Sequence, residues 1–197
     1  MTIDPKIIMQ LREMTGAGIV DAKKALEDSG GDLAAAADAL RAKGLAKAAG
    51  KSGRATAEGL VHAYIHSNGK VGAMVELLCE TDFVARTEQF KELAHDLAMH
   101  IAAANPLYLK PEDVPAEVAA KEKEIYAAEI AGSGKSPEIV EKIVAGKLEK
   151  YYSEVCLLRQ TFVKDEDITV GERVQHAIAQ LGENIQVRRF ARFALGG

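Results

Sequence analysis

The sequence predicts an α+β fold in which a three-helix module precedes a helical core with a small antiparallel sheet. Residues 1–45 contain three short helical patterns separated by glycine-containing breaks. Two runs of alternating side chains between residues 60 and 79 are joined by Asn-Gly, which is typical of a β-hairpin. Most of the remaining chain repeats apolar side chains at helical spacing. We expect residues 1–54 to form the helical module with a basic linker, and residues 55–197 to form the core.

Length and composition are those of an ordinary globular protein. The 197 residues are 48% hydrophobic and 27% charged, and the net charge of -4 provides no global attraction to nucleic acid or to anionic membranes. The chain does not begin with a basic region followed by an apolar run, and no stretch approaches about 18 consecutive apolar residues. We therefore expect a cytoplasmic protein with no direct contact with nucleic acid or membrane.

The first 45 residues contain clear helix start and stop signals. Asp4 and Asp32 are good N-cap residues, and Pro5 suits a first helical position. Gly16 and Gly18 break the chain between the first two helices, where they permit a tight turn with positive φ. The expected apolar stripe of the first helix consists of Ile8, Leu11 and Met14.

Residues 41–56 are locally cationic, with five basic residues and no acidic one. We interpret this segment as a solvated linker or a fraying helix between two domains. The alternative is a contact with an acidic partner or with nucleic acid. The absence of interleaved aromatic side chains argues against nucleic acid.

A short segment between a strand and a helix is the main candidate for function. Residues 71–79 alternate as a half-buried strand does, and a helix with apolar residues at helical spacing begins near residue 87. Asp82 and Phe83 lie between them, in what we expect to be a loop. Phe83 could fold back under the sheet while Asp82 caps a turn. Alternatively, the loop presents both residues to a partner, because binding residues concentrate in connecting segments on rigid elements.

The remaining chain predicts two helices at residues 116–131 and 137–155, a capping box of Thr169 and Glu172, and a strand at 184–195. Residues 132–136, Gly-Ser-Gly-Lys-Ser, lack the earlier glycine and the preceding strand that a phosphate loop requires. The arginine- and phenylalanine-rich run at 188–193 lacks the glycine of the RNA-binding sheet motif.

Potential metal and redox residues have simpler interpretations. His62 and His66 would lie about 13 Å apart on one strand, too far to share an ion. Cys79 and Cys156 are far apart in the sequence, and we expect buried free thiols. We predict no metal site, no cofactor and no catalytic residue. An enzyme using Asp82 or Glu80 with a histidine has no supporting motif.

Two sequence stretches together resemble the elongation factor Ts family of bacteria. The first is Leu-Arg-Glu-Met-Thr-Gly-Ala-Gly at residues 11–18, continued by Asp-Ala-Lys-Lys-Ala-Leu at 21–26. The second is Cys-Glu-Thr-Asp-Phe-Val-Ala-Arg at residues 79–86, which resembles the family's core signature. The segments at residues 162–165 and 189–193 are similar to its last part, so the resemblance spans nearly the whole chain in order.

The resemblance implies a guanine-nucleotide exchange factor, not an enzyme, acting on the GDP-bound and nucleotide-free forms of elongation factor Tu, a GTPase. In the family, an Asp-Phe pair inserts beside the nucleotide and disturbs Mg²⁺ coordination, so that GDP leaves. By motif, the inserted group consists of Thr81, Asp82, Phe83 and Val84. The resemblance also implies that a ubiquitin-associated-like N-terminal module docks on the GTPase, through Arg12, Thr15, Gly16, Gly18, Ile19 and Val20.

Two departures from the family and one alternative accompany this hypothesis. Many members carry Met-Met where this chain has Ile19-Val20, and longer members have a fuller second half of the core. Because a small sheet leaves exposed edges, we expect a homodimer in which a partner subunit covers them. The alternative function is an adaptor or nascent-chain-binding module that uses the three-helix bundle, which leaves residues 81–84 unexplained.

Overall fold

A computed structural model describes residues 3–131 and 133–196. The α-helices are α1 (Pro5–Thr15), α2 (Ile19–Asp28), α3 (Leu33–Ala49), α4 (Asp82–Ala85), α5 (Glu88–Ala104), α6 (Ala116–Ile130), α7 (Pro137–Val155) and α8 (Val170–Leu181). The strands are β1 (Glu58–Ile65), β2 (Val71–Cys79), β3 (Thr161–Phe162), β4 (Asp165–Thr169) and β5 (Gln186–Ala194). Short 3-10 helices occupy Pro111–Asp113 and Leu157–Arg159. The α+β class is confirmed.

By contact density the chain forms two compact units. The first consists of Met1–Leu60, Leu77–Leu93 and Val174–Gln186, and the second of Val61–Glu76, Ala94–Arg173 and Val187–Gly197. These units differ from the division after residue 54 expected from the sequence. The division into a module of residues 1–54 and a core of residues 55–197 stays a prediction.

In the first unit, helices α1 to α3 form a small bundle with its own core. The Asp4 side chain accepts from the Lys6 N–H at 2.9 Å, and Asp32 accepts from the N–H groups of Ala34 and Ala35, which confirms both N-caps. The buried residues of this bundle are Ile8, Leu11, Ala22, Ala25, Leu26 and Ala36. Three of these six residues are alanine, so the bundle has a modest apolar core.

One residue of the expected α1 stripe is not in that core. Met14 is 60% exposed, whereas Leu11 is fully buried. A spacing of three residues falls short of one helical turn by about 60°, so two such steps turn Met14 about 120° away from Ile8. The prediction that Met14 belongs to the core stripe is therefore wrong.

Of the two interpretations of the basic segment, the solvated linker is wrong for residues 41–49, which continue helix α3 to Ala49. Alanine, leucine and lysine are strong helix formers, and they dominate this segment. Gly44 lies against α8 so closely that an added Cβ would come within 3.3 Å of the Ala179 Cβ. The Lys51 ammonium donates to the Gly182 carbonyl at 2.6 Å. The basic segment therefore contacts α8 at Gly44 and the residue that follows α8 at Lys51.

The Asn-Gly hairpin is confirmed. Gly69 has φ +67°, and the His66 N–H donates to the Val71 carbonyl at 2.8 Å, which closes the turn between β1 and β2. The three-stranded sheet has the order β1-β2-β5, so β2 is its central strand. The final strand predicted at residues 184–195 is confirmed as β5.

In the second unit, the predicted helices α6 and α7 are confirmed, with Pro137 in the first turn of α7. The break between them includes Gly132, which lies outside the described residues. The capping box is confirmed, since the Thr169 N–H donates to Glu172 and the Glu172 N–H donates to the Thr169 hydroxyl. The sequence analysis missed the β3–β4 pair, because β3 has two residues and β4 begins with three charged ones.

The second unit buries one histidine in a closed hydrogen-bond arrangement. His100 is 1% exposed, its Nε2 lies 3.0 Å from the Gln160 Oε1, and the Val163 N–H donates to its Nδ1 at 3.2 Å. These partners require a proton on Nε2 and a free lone pair on Nδ1, which is the neutral imidazole. Burial lowers the pKa of His100, and its hydrogen bond to Gln160 opposes this only in part.

We expect His100 to reduce stability in mild acid. Because its pKa is lower in the folded state, stability is complete above the unfolded-state pKa of about 6.5 and is lost as the pH falls toward the lower folded-state pKa. The measurement is the free energy of unfolding between about pH 8 and pH 5. The pH dependence should be weaker in His100→Gln than in the wild type, and unchanged in the exposed-residue control His66→Gln. Equal pH dependence in the wild type and His100→Gln would contradict this role.

Candidate functional site

Residues 81–85 form a one-turn helix and its N-cap instead of the expected loop. Thr81 ends the extended chain after β2 with φ -129° and ψ 155°, and its side chain accepts from the Val84 N–H at 3.4 Å. The Thr81 carbonyl accepts from the Ala85 N–H at 3.2 Å. The loop prediction overlooked that threonine is a good N-cap residue. Helix α4 therefore begins at Asp82.

The side chains of α4 point in different directions. Ala85 is buried and Val84 is half-buried, whereas Phe83 is 79% exposed. The interpretation in which Phe83 folds back under the sheet is therefore wrong. Asp82 is partly exposed and forms an ion pair with Arg86 at 2.8 Å, one helical turn later. An exposed pair of this kind contributes little stability. The Thr-Asp-Phe-Val motif (residues 81–84) thus presents an aromatic ring and a carboxylate at the surface of the first unit.

The base of the motif is held by a residue distant in sequence. The Glu183 carboxylate accepts three hydrogen bonds, from the Glu80 N–H at 3.1 Å, the Thr81 N–H at 3.0 Å and the Thr81 hydroxyl at 2.6 Å. The Cys79 thiol donates to the Thr81 carbonyl at 3.1 Å. Burial raises the pKa of Cys79 to about 11, so this thiol keeps its proton at neutral pH. Every polar group of Thr81 has a partner.

The candidate residues of the N-terminal module lie where α1 ends and α2 begins. Gly16 has φ +67° and caps α1, with its N–H donating to the Arg12 carbonyl at 2.7 Å. Gly18 has φ -64° and is the N-cap residue of α2, so the expected positive φ holds only for Gly16. The Thr15 hydroxyl donates to the Leu11 carbonyl at 2.6 Å, which closes the last turn of α1.

This turn presents apolar side chains to solvent. Ile19 is 56% exposed and Val20 is 80% exposed at the start of α2. Met9 and Met14 of α1 are exposed too, and the sequence analysis did not assign them to the site. The Arg12 guanidinium donates to the Ala17 carbonyl at 3.3 Å, so it supports the turn. The turn therefore combines a fixed backbone with exposed apolar side chains, which suits a protein contact.

Helix α8 and the turn that follows it contact both groups of candidate residues. The Gln180 side chain donates to the Thr15 carbonyl at 3.5 Å, and an added Cβ on Gly16 would come within 2.0 Å of the Gln180 amide nitrogen. Glu183, just after α8, holds Thr81. A side chain at position 16 would disturb this contact as well as the left-handed backbone. The two groups are thus linked through Gln180 and Glu183, which both belong to the first unit.

The other residues considered in the sequence analysis occupy separate places. The His62 Nε2 lies 3.2 Å from the His95 Nδ1, while His66 interacts with the Tyr64 hydroxyl. Cys79 and Cys156 are buried free thiols, as predicted. Within residues 3–131 and 133–196, no group of three or more histidine, cysteine or acidic side chains could hold a metal ion. No helix in the described part of the chain is both long and apolar enough to cross a membrane.

Comparisons with known proteins give a consistent result. A family model described as "Elongation factor TS" matches residues 48–196. The chain is 53% identical over 196 residues to elongation factor Ts of Fervidobacterium nodosum, with all of both chains covered. It is 55% identical to elongation factor Ts of Thermotoga petrophila, covering 100% of this chain and 98% of that protein. For elongation factor Ts of Geobacter sulfurreducens the identity is 53%, covering 100% of this chain and 91% of that protein.

The exposure of Phe83 leads to a stability prediction with a matched control. Phe83→Ala should change the free energy of unfolding by less than about 1 kcal/mol, because removal of an exposed ring eliminates few contacts within the folded protein. Phe90→Ala removes a fully buried ring a few residues later and should cost about 3–5 kcal/mol. Denaturant unfolding of both variants gives the comparison. Similar losses in the two variants would show that Phe83 is a core residue.

Proposed function

Because this chain belongs to the elongation factor Ts family, we propose that it is a guanine-nucleotide exchange factor for elongation factor Tu in translation elongation. The single observation that supports the mechanism best is the exposed Phe83 beside Asp82, on a capped helical turn whose base is hydrogen-bonded. The factor makes or breaks no covalent bond. It binds the GDP-bound and nucleotide-free GTPase in the cytoplasm, with no direct contact with nucleic acid or membrane.

The proposed mechanism assigns separate roles to the two exposed side chains. Phe83 is an apolar wedge that enters the GTPase beside the nucleotide. The Asp82 carboxylate, whose ion-pair partner Arg86 is solvent-exposed, can approach the Mg²⁺ site and disturb its coordination. Thr81 and Val84 complete the turn that carries them. The two binding equilibria are coupled. If the exchange protein binds the nucleotide-free GTPase more tightly than the GDP-bound form, it lowers the affinity of the GTPase for GDP by the same ratio.

The N-terminal module docks on the GTPase in this proposal. Exposed Ile19 and Val20 provide apolar contact area, and Arg12, Thr15, Gly16 and Gly18 fix the turn that presents them. Apolar side chains in place of the family's Met-Met preserve this contact and change its affinity. An adaptor or nascent-chain-binding function could use the same apolar surface, but it would give no role to Phe83.

We also propose a homodimer, because β1 and β5 are the edge strands of the sheet. Val61, Ile65 and Phe193 on these strands are exposed large apolar residues of the second unit. Light scattering at high protein concentration should give about twice the monomer mass of 21.1 kDa. Phe193→Ser should shift the mass toward the monomer, and Val163→Ser, also at an exposed residue, should not. A 21.1 kDa species in the wild type at high concentration would contradict the dimer.

The exchange function is tested by the release of a fluorescent GDP analogue from elongation factor Tu. The wild-type protein should accelerate release, and Phe83→Ala should lower the maximal rate by about 30-fold, the factor for a contact worth ~2 kcal/mol. Asp82→Ala should also slow release. Expressed as activation free energies, the loss in the double variant should be smaller than the sum of the losses in the two single variants, since both residues act on one site.

A docking variant separates the two roles. Val20→Ser should raise the concentration of factor needed for half-maximal release while leaving the maximal rate nearly unchanged, since it weakens binding without altering the inserted group. A wild-type protein that does not accelerate release would contradict the proposed function. Normal release by Phe83→Ala would contradict the insertion mechanism alone.

A further inference from the structure

The turn between α8 and β5 holds both the residues at the start of α4 and the segment that follows α3. Gly182 ends α8 with φ +80°, and Lys51 donates to its carbonyl. Glu183 accepts from Glu80 and Thr81, as described above. Asn184 is 1% exposed, and its side-chain amide donates to the Arg54 carbonyl at 2.8 Å and to the Ser52 carbonyl at 3.3 Å. This three-residue turn belongs to the first unit with all its partners.

A hydrogen bond in the opposite direction also joins the turn after α8 to the segment at Glu80 and Thr81. The Asn184 N–H donates to the Glu80 carboxylate at 2.6 Å, and Arg54 lies 3.5 Å from the same carboxylate. The segments exchange contacts in both directions, because Glu183 accepts from the backbone at Glu80 and Glu80 accepts from the backbone at Asn184. Reciprocal bonds of this kind fix the orientation of both segments more strongly than a single contact.

Thr81 is the residue where this arrangement affects function. It is both the last extended residue after β2 and the N-cap of α4. The direction of α4, and with it the position of Phe83 two residues later, follows from the orientation of Thr81. Helix α4 has four residues and is too short to be stable alone. An inserted group loses less entropy on binding when its position is set beforehand.

We propose that Glu183 is a positioning residue for nucleotide exchange: its carboxylate fixes Thr81 and thereby holds Asp82 and Phe83 in the geometry that enters the GTPase. This inference rests on the proposed exchange function. Glu183 itself touches neither the nucleotide nor Mg²⁺ in this scheme. Its role is carried by hydrogen-bond acceptance and not by charge, which makes it testable by two substitutions at one position.

The first substitution, Glu183→Ala, removes both acceptor oxygens and so all three hydrogen bonds at once. The second, Glu183→Gln, has the same shape without the charge. Its amide oxygen can accept from both backbone N–H groups, as one carboxylate oxygen of Glu183 does. Its amide nitrogen can donate to the Thr81 hydroxyl oxygen, so the third contact is kept with its direction reversed. Glu166→Ala, at an exposed residue of β4, serves as the control for the loss of one negative charge.

Stimulated GDP release from elongation factor Tu is measured for each variant at saturating factor, well below its melting temperature. We expect Glu183→Ala to lower the maximal rate about 10- to 100-fold with a smaller change in the half-saturating concentration. Glu183→Gln should recover most of the rate, and Glu166→Ala should match the wild type. In the Phe83→Ala background, Glu183→Ala should slow release less than it does in the wild type, since Phe83 is one of the two side chains that Glu183 positions.

The outcomes separate this inference from the function on which it rests. No acceleration by the wild-type protein would contradict the exchange function itself. Acceleration by the wild type that is equal in Glu183→Ala would overturn the positioning role. Equal slowing by Glu183→Ala and Glu183→Gln would also overturn it, since charge would then be the cause. Full additivity with Phe83→Ala would show that Glu183 acts elsewhere.

Discussion

The hydrogen bonds between Glu183 and Thr81 are the interaction on which the candidate site depends. They join residues 102 positions apart in the sequence and close the end of β2 against the turn after α8. Two backbone N–H groups and one hydroxyl donate to the single Glu183 carboxylate, so one side chain satisfies three donors at the start of α4. A helical turn of four residues can therefore persist at the surface, because its N-cap residue Thr81 is hydrogen-bonded to Glu183.

This arrangement separates the exposed side chains from the groups that stabilise the fold. Ala85 is buried and Phe90 is fully buried, and they anchor the chain on the C-terminal side of the motif. Phe83 stays exposed, although burying an aromatic ring would add stability. An exposed aromatic side chain on a fixed backbone is costly for solubility and is typical of a binding surface. The turn at Ile19 and Val20 follows the same pattern in the N-terminal module.

Local patterns predicted most of the fold, while contacts between distant segments could not be predicted. Asn-Gly signalled the hairpin and Thr169 with Glu172 signalled the start of α8, since each pattern depends on neighbouring residues. Thr81 carried an N-cap signal that was overlooked. Glu183 has no local signature, because its role comes from the approach of β2 to the turn after α8. The linker prediction failed because composition alone does not reveal that α3 packs against Ala179.

Amide hydrogen exchange in the free protein, read residue by residue by NMR, tests most directly whether the motif is fixed before any partner binds. The Glu80 and Thr81 N–H groups both donate to Glu183, whereas Ser67 lies in the exposed hairpin turn. If the Glu183 carboxylate fixes the motif, the Glu80 and Thr81 amides exchange far more slowly than Ser67, because exchange requires local opening. Exchange of the Glu80 and Thr81 amides as fast as that of Ser67 would show that the motif is not held in the free protein, and it would contradict this account.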